Sequence, residues 1–242
     1  MTDATFESVT ETSVDLEVNG RVVPGVLWRP ASGAGAEPLV LAGHGGGFGT
    51  SGHKRVDSIV HLATHLAVEH GIATLAIDQP GCGDRPGAEA EQERRRQMSV
   101  EDAIANLWTP ELIEEMSQDW RAMLDHVETT TGLGRAGVGY WGLSGGTTFG
   151  LPLVATEPRI GAAVLGLNGD VPLMRTHAPA IRCAVLYMMN LDDRFMTRDS
   201  ALALFDALES SDKYLIGYPG DHGENMDAAV PEWGRFFASR LS

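Results

Sequence analysis

Apolar and polar residues alternate through 13–30, SVDLEVNGRVVPGVLWRP, and the alternation turns over at Asn19-Gly20. Alternation of this kind puts every second side chain on the buried face of a strand, and Asn-Gly between two such runs supplies the left-handed backbone of a two-residue hairpin. The pattern predicts two antiparallel strands at the start of the chain. It then changes character. After the turn-forming ASGAGAE, the run PLVLAG (38–43) has no polar position, which is the mark of a strand covered on both faces. Similar runs follow at IATLAID (72–78), AGVGYWG (136–142), IGAAVLGLN (160–168), CAVLYMMN (183–190) and KYLIGYP (213–219). Helix-compatible stretches near 55–70, 113–130, 145–155, 199–209 and 224–240 are interspersed with them. Such alternation implies right-handed crossovers and a mostly parallel sheet with helices on both faces, an α/β fold with an N-terminal antiparallel hairpin.

Composition narrows this picture. A chain of 242 residues, 43% hydrophobic and 21% charged, can bury one substantial core, so a single domain over 1–242 is expected. The segment 86–118 is longer than an ordinary connection and carries Met98, Trp108 and Met116; it reads as a cap or lid insertion or as an extra surface helix pair. The net charge of −15, from 18 basic and 33 acidic residues, argues against a nucleic-acid partner. The one basic run, Arg94–Arg96, lies beside Glu91 and Glu93 and reads as a solvated helix face. Two cysteines, Cys82 and Cys183, are too few for a disulfide framework and are expected to be reduced. The N-terminus has no positive lead or apolar core of a signal peptide, and no stretch is long enough to span a bilayer, so the expectation is a cytoplasmic protein with no membrane partner.

The candidate chemistry begins at Ser144, in VGYWGLSGGTTFG (138–150). Gly142-Leu143-Ser144-Gly145-Gly146 matches G-x-S-x-G between a predicted strand and a predicted helix, where the turn is too tight for side chains two residues either side of the serine. The turn exposes the hydroxyl beside a helix N-terminus, whose free N–H groups favour developing negative charge. A serine needs a base to take its proton and an acid to orient that base. In the order serine, acid, histidine, only His222, in YPGDHGE, lies beyond the acidic candidates. For the acid, Asp192, Asp193 and Asp170 all follow strands, and Asp193, three residues beyond its strand, is preferred. LAGHGGGFG (41–49) offers backbone donors for an oxyanion: Gly46, with Gly47, and on the other side Gly145.

With HGGG, GLSGG, LDDRF and GDHG in this order at strand ends, the chain resembles the α/β-hydrolase fold superfamily over nearly its whole length. Its size and acid loop are similar to the dienelactone hydrolase branch. The resemblance implies an eight-stranded sheet whose second strand is antiparallel, with Ser144 as nucleophile, Asp193 as acid and His222 as base. The loop DQPGCGDRPG (78–87) is similar to the family's D-x-x-G-x-G turn after the fourth strand. Dienelactone hydrolases carry a cysteine where this chain has Ser144, a departure that favours an esterase. The short segment 169–180 leaves no room for the lid that many relatives insert there.

Other patterns compete. GFGTSG (47–52), with Asp78 ending the next strand, spells a dinucleotide fingerprint, but the first glycine stands several residues past the strand end. His61 and His65, one helical turn apart with Asp57 nearby, have zinc-compatible spacing without a metalloprotease glutamate. No metal and no cofactor is expected. Phe48, Met98, Trp108 and Trp141 read either as an apolar pocket or as core. The expected function is hydrolysis of small-molecule carboxylic esters through an acyl-enzyme. The alternatives are lactone, thioester or amide cleavage on the same triad, or a binding protein that keeps the scaffold without turnover.

Overall fold

The computed structural model describes residues 8–33, 35–46, 52–99, 102 and 108–241. Strands β1 (Val9–Val18) and β2 (Arg21–Pro30) form the predicted hairpin, with Asn19 and Gly20 both at positive φ (51° and 76°) as a type I′ turn requires. β3 (Leu39–Gly43), α1 (Asp57–His70), β4 (Ala73–Ile77), α2 (Ala88–Arg96) and α3 (Pro110–Thr131) follow. The second half runs β5 (Val138–Leu143), α4 (Gly145–Thr156), β6 (Ile160–Gly166), α5 (Pro172–His177), β7 (Ala184–Asn190), α6 (Arg198–Ala207), β8 (Lys213–Tyr218) and α7 (Met226–Ala238).

The strands form one sheet in the order β1-β2-β4-β3-β5-β6-β7-β8. β2 is antiparallel to both of its neighbours, and every pairing from β4 to β8 is parallel. This is the mostly parallel eight-stranded sheet that the sequence predicts.

Period-two alternation assigns neighbouring residues of each strand to opposite cores. Val40 and Trp141 face α1 and α7, packing with Ile59, Leu62, Leu66, Trp233 and Phe237. Leu41 and Tyr140 face the other layer, with Met116, Trp120 and Met123 of α3. Trp141 stacks edge-on with Trp233 at 5.4 Å and is fully buried, so it belongs to the core rather than to a pocket. α3 begins where Thr109 caps the Leu112 N–H (3.3 Å) with Pro110 in the first turn, and ends at Gly132 with φ 79°. No helix among the described residues is long and apolar enough to cross a membrane.

Two elements depart from the sequence reading. β6 and β7 are adjacent and parallel, so their connection has to cross over, and it does so through the six-residue α5 and a 3₁₀ turn at Ala178–Ala180. In the arginine run, Arg94 and Arg96 are the solvated residues expected, paired with Glu91 and Glu93. Arg95 instead is buried, donating to the Pro80 carbonyl (3.2 Å) and to Glu91 (2.8 Å) and touching Cys82 Sγ (3.6 Å). It fastens α2 to the loop after β4. Both cysteines are free thiols, Cys82 buried. Part of the 86–118 segment, residues 100, 101 and 103–107, lies outside the described residues.

Candidate active site

All the predicted site loops leave the sheet at one edge, beyond the carboxyl ends of β3, β5, β7 and β8. At the end of β5 the chain turns sharply into α4 with Ser144 at φ 56°, ψ −118°, a conformation L-residues rarely adopt. A Cβ at Gly146 would lie 2.3 Å from the Gly43 carbonyl oxygen, and one at Gly142 would lie 2.7 Å from that of Gly146. Only glycine fits either place.

Several groups hold this turn. The Ser144 N–H donates to the Gly166 carbonyl (2.9 Å), and the Asn168 amide donates to the Ser144 carbonyl (3.1 Å) and to Thr148 Oγ1 (2.8 Å). The Thr147 hydroxyl, fully buried, stands 2.7 Å from both the Gly142 and Gly166 carbonyls and accepts the Gly166 N–H at 2.9 Å. Beneath the turn, the Tyr140 hydroxyl donates to the Gly146 carbonyl (2.7 Å); the hydroxyl occupies the space that a side chain at Gly43 would need, and the ring the space needed at Gly150. Complete burial holds the Tyr140 phenol far above its ordinary range, so it remains a donor.

The three side chains singled out in the sequence come together. His222 Nε2 is 3.0 Å from Ser144 Oγ, and His222 Nδ1 is 2.7 Å from Asp193 Oδ2. Asp193, with its side chain 2% exposed, accepts the Phe195 and Met196 N–H groups on Oδ1 (2.8 and 2.9 Å), leaving Oδ2 for the imidazole. With a carboxylate accepting at Nδ1, that nitrogen carries the proton and Nε2 presents its lone pair to the serine. The other acidic candidates are engaged elsewhere. Asp170 forms a bidentate pair with Arg175 (2.6 Å for each bond). Asp192 accepts the Gly220 N–H (3.2 Å) and meets Arg198 (3.3 Å).

On the donor side, Gly46 packs against Gly145: a Cβ at 145 would stand 2.5 Å from the Gly46 oxygen and 3.4 Å from its nitrogen. The two backbones named as oxyanion donors are therefore neighbours. Gly47 and Phe48 lie outside the described residues. His44, before these glycines, is a component the sequence reading gave no role. Its Nδ1 donates to the Gly45 carbonyl (2.8 Å) and its Nε2 accepts the Gln79 N–H (3.0 Å), tying the donor loop to the loop after β4. Burial lowers its pKa to about 4, so the ring is neutral at neutral pH.

The competing patterns resolve differently. Asp78 is fully buried, bonded to the Lys54 N–H (2.7 Å), Lys54 Nζ (2.6 Å) and the Asp84 N–H (2.8 Å), which leaves no carboxylate for a ribose. Gly83, at φ 58°, lets this loop close, since a Cβ there would sit 2.2 Å from the Asp78 carboxyl. His61 pairs with Asp227 (3.0 Å), and the described residues contain no group of three metal-ligating side chains.

No protein-family model matches the chain, and no curated protein matches it. Solved structures do. A polyethylene-glycol-bound cold-adapted esterase from an Arctic intertidal metagenomic library is 36% identical, with a TM-score of 0.81 over 97% of this chain and 95% of that one. Dienelactone hydrolase from Anabaena variabilis is 22% identical (TM-score 0.70, covering 97% and 100%). Est1E from Butyrivibrio proteoclasticus with ferulic acid bound is 15% identical (TM-score 0.72, covering 94% and 99%). At these lower identities the likeness is one of fold. The sheet order, the tight serine turn and the 36% identity over nearly the full length of both chains place this protein in the α/β-hydrolase fold superfamily.

Proposed function

We propose that the protein is a serine esterase acting on small-molecule carboxylic esters. The observation that carries the reading is the continuous chain from Asp193 Oδ2 to His222 Nδ1 (2.7 Å) and from His222 Nε2 to Ser144 Oγ (3.0 Å). Ser144 Oγ attacks the ester carbonyl as His222 Nε2 takes its proton, and the imidazolium is stabilised by Asp193. The tetrahedral oxyanion is met by the backbone N–H of Gly145, at the start of α4, and by that of Gly46. His222 then protonates the departing alkoxide, and water deprotonated by the same nitrogen releases the acid from Ser144. No cofactor takes part in this scheme. The 36% identity to an esterase supports the ester bond as the target.

Two measurements test it. Ser144→Ala is expected to abolish hydrolysis of p-nitrophenyl acetate with an unchanged unfolding midpoint. A fluorophosphonate is expected to label the wild type on the Ser144 peptide. Turnover retained by the variant, or no labelling of folded wild type, would remove the assignment.

A further inference from the structure

The base loop and the acid loop are joined by a carboxylate that the proton relay does not use. Asp221 immediately precedes His222, and its Oδ1 accepts two backbone N–H groups, that of His222 (2.7 Å) and that of Arg194 (3.0 Å). Its Oδ2 takes the Arg194 guanidinium through Nε and Nη2. Its own N–H donates to Glu224 Oε2 (3.0 Å). Arg194 in turn follows Asp193. One carboxylate therefore bonds the backbone of the base itself and the backbone next to the acid.

Its place in the loops is informative. The bonds from Leu191 N–H to the Tyr218 carbonyl (2.7 Å) and from Asp192 N–H to the Gly220 carbonyl (3.0 Å) zip the two loops together but stop short of Asp193 and His222. Asp221 carries the zip past them. The Arg194 guanidinium, together with the two N–H groups, holds its carboxyl well below the usual carboxylate range, as expected for an acceptor of several charge-assisted bonds. The Phe195 ring closes the arrangement edge-on to the His222 ring at 5.2 Å.

We propose that Asp221 is a positioning residue that sets the span between Asp193 and His222, and that its Oδ1, bonded to the two backbones, is the part that does so. The proposal rests on the reading of Ser144, Asp193 and His222 as the catalytic relay. The bland alternative is a surface ion pair. Arg194 has 73% of its side chain exposed, and exposed pairs contribute little. The two halves of the carboxylate can be separated by substitution. Arg194→Ala removes the guanidinium and keeps the backbone bonds, and Asp221→Asn keeps one oxygen for the two N–H groups. Asp221→Ala removes both, and Asp221→Glu keeps the charge but displaces it by one methylene.

The test measures kcat and KM on p-nitrophenyl acetate, and the rate of fluorophosphonate labelling, for the whole chain and these four variants. Arg194→Ala and Asp221→Asn are expected to stay within about threefold of wild type, whereas Asp221→Ala and Asp221→Glu lose about ten- to a hundredfold in kcat and labelling rate with KM nearly unchanged. Equal losses in all four variants, a rise in KM alone, undiminished kcat in Asp221→Ala, or unfolding of both Asp221→Ala and Asp221→Glu would overturn the proposal. A wild type that neither hydrolyses the ester nor takes the label defeats the catalytic reading itself. A labelled wild type with an unaffected Asp221→Ala defeats only the role of Asp221.

Discussion

Asn168, two residues past the end of β6, reaches back to the carbonyl of Ser144 at 3.1 Å, so a side chain from the loop after the neighbouring strand braces the strained serine. It is 5% exposed, and its second bond, to Thr148 Oγ1 (2.8 Å), grips the first turn of α4 as well. Asn168→Ala takes the donor from Thr148 Oγ1 (2.8 Å) and the acceptor from the Gly169 N–H (2.8 Å), while the Ser144 carbonyl keeps the Thr148 N–H (3.1 Å); it is expected to cost about 1–3 kcal/mol in a denaturant titration. Asn168→Asp, which turns an acceptor toward two oxygens, is expected to cost more. A variant as stable as wild type would show that the turn holds itself.

Asp193 and Asp192 are adjacent in sequence and bonded to different partners, so their amides should behave differently. Asp193→Asn donates where the imidazole needs an acceptor and favours the wrong tautomer; in serine proteases the equivalent change costs about 10⁴ in kcat, and a loss of that order is expected here. Asp192→Asn keeps an acceptor for Gly220 and should retain kcat within a few-fold. Steady-state kinetics on one activated ester decides between them, and equal losses would refute the assignment of Asp193.

His44 makes a pH prediction. Its pKa falls from 6.5 unfolded to about 4 folded, with burial as the leading cause. Below pH 6.5 the unfolded chain binds a proton that the folded chain refuses, so stability declines as pH falls from about 6.5 toward 4, by about 3 kcal/mol over the window. Above it, His44 adds no slope. Denaturant midpoints at pH 7 and 4.5 are expected to differ more for wild type than for His44→Gln. Equal differences would mean that other groups carry the acid sensitivity.

Glycine positions separate steric need from indifference. Gly146→Ala pushes a methyl to 2.3 Å from the Gly43 carbonyl oxygen, backbone against backbone, and is expected to abolish activity and lower the unfolding midpoint. Gly161, in β6, has open space where its Cβ would go and no left-handed backbone. Gly161→Ala should leave activity intact and raise stability by about 0.4–1 kcal/mol, because the unfolded chain loses freedom. Thermal melts of both variants test the contrast.

How much of this could be read beforehand follows from burial. Strands covered on both faces leave uninterrupted apolar runs, so β3 to β7 lie within a few residues of their predicted places. The meeting of Ser144 and His222 was legible because G-x-S-x-G marks a tight strand–helix turn and only one histidine follows the acidic candidates. Which aspartate meets His222 was legible only as a short list, since an aspartate held in a turn and one bonded to an imidazole look alike until their partners are in place. α5 escaped notice because six residues bounded by two prolines carry no periodicity. Arg95 was hidden by its neighbours: a run of three arginines reads as one solvated face, yet successive helix positions point about 100° apart. The bonds from Asn168 to Ser144 and from Arg194 to Asp221 join residues 24 and 27 positions apart, which no local pattern records.

Tyr140 has a consequence for how the chain can change over generations. Its hydroxyl leaves no volume for a methyl at Gly43 (2.1 Å) and its ring none at Gly150 (2.0 Å). Growth at either site is tolerable only after residue 140 has shrunk, and shrinking it first opens a void under the Ser144 turn. Each single step is thus harmful alone, so the three positions form an epistatic block that drift must cross together or leave untouched.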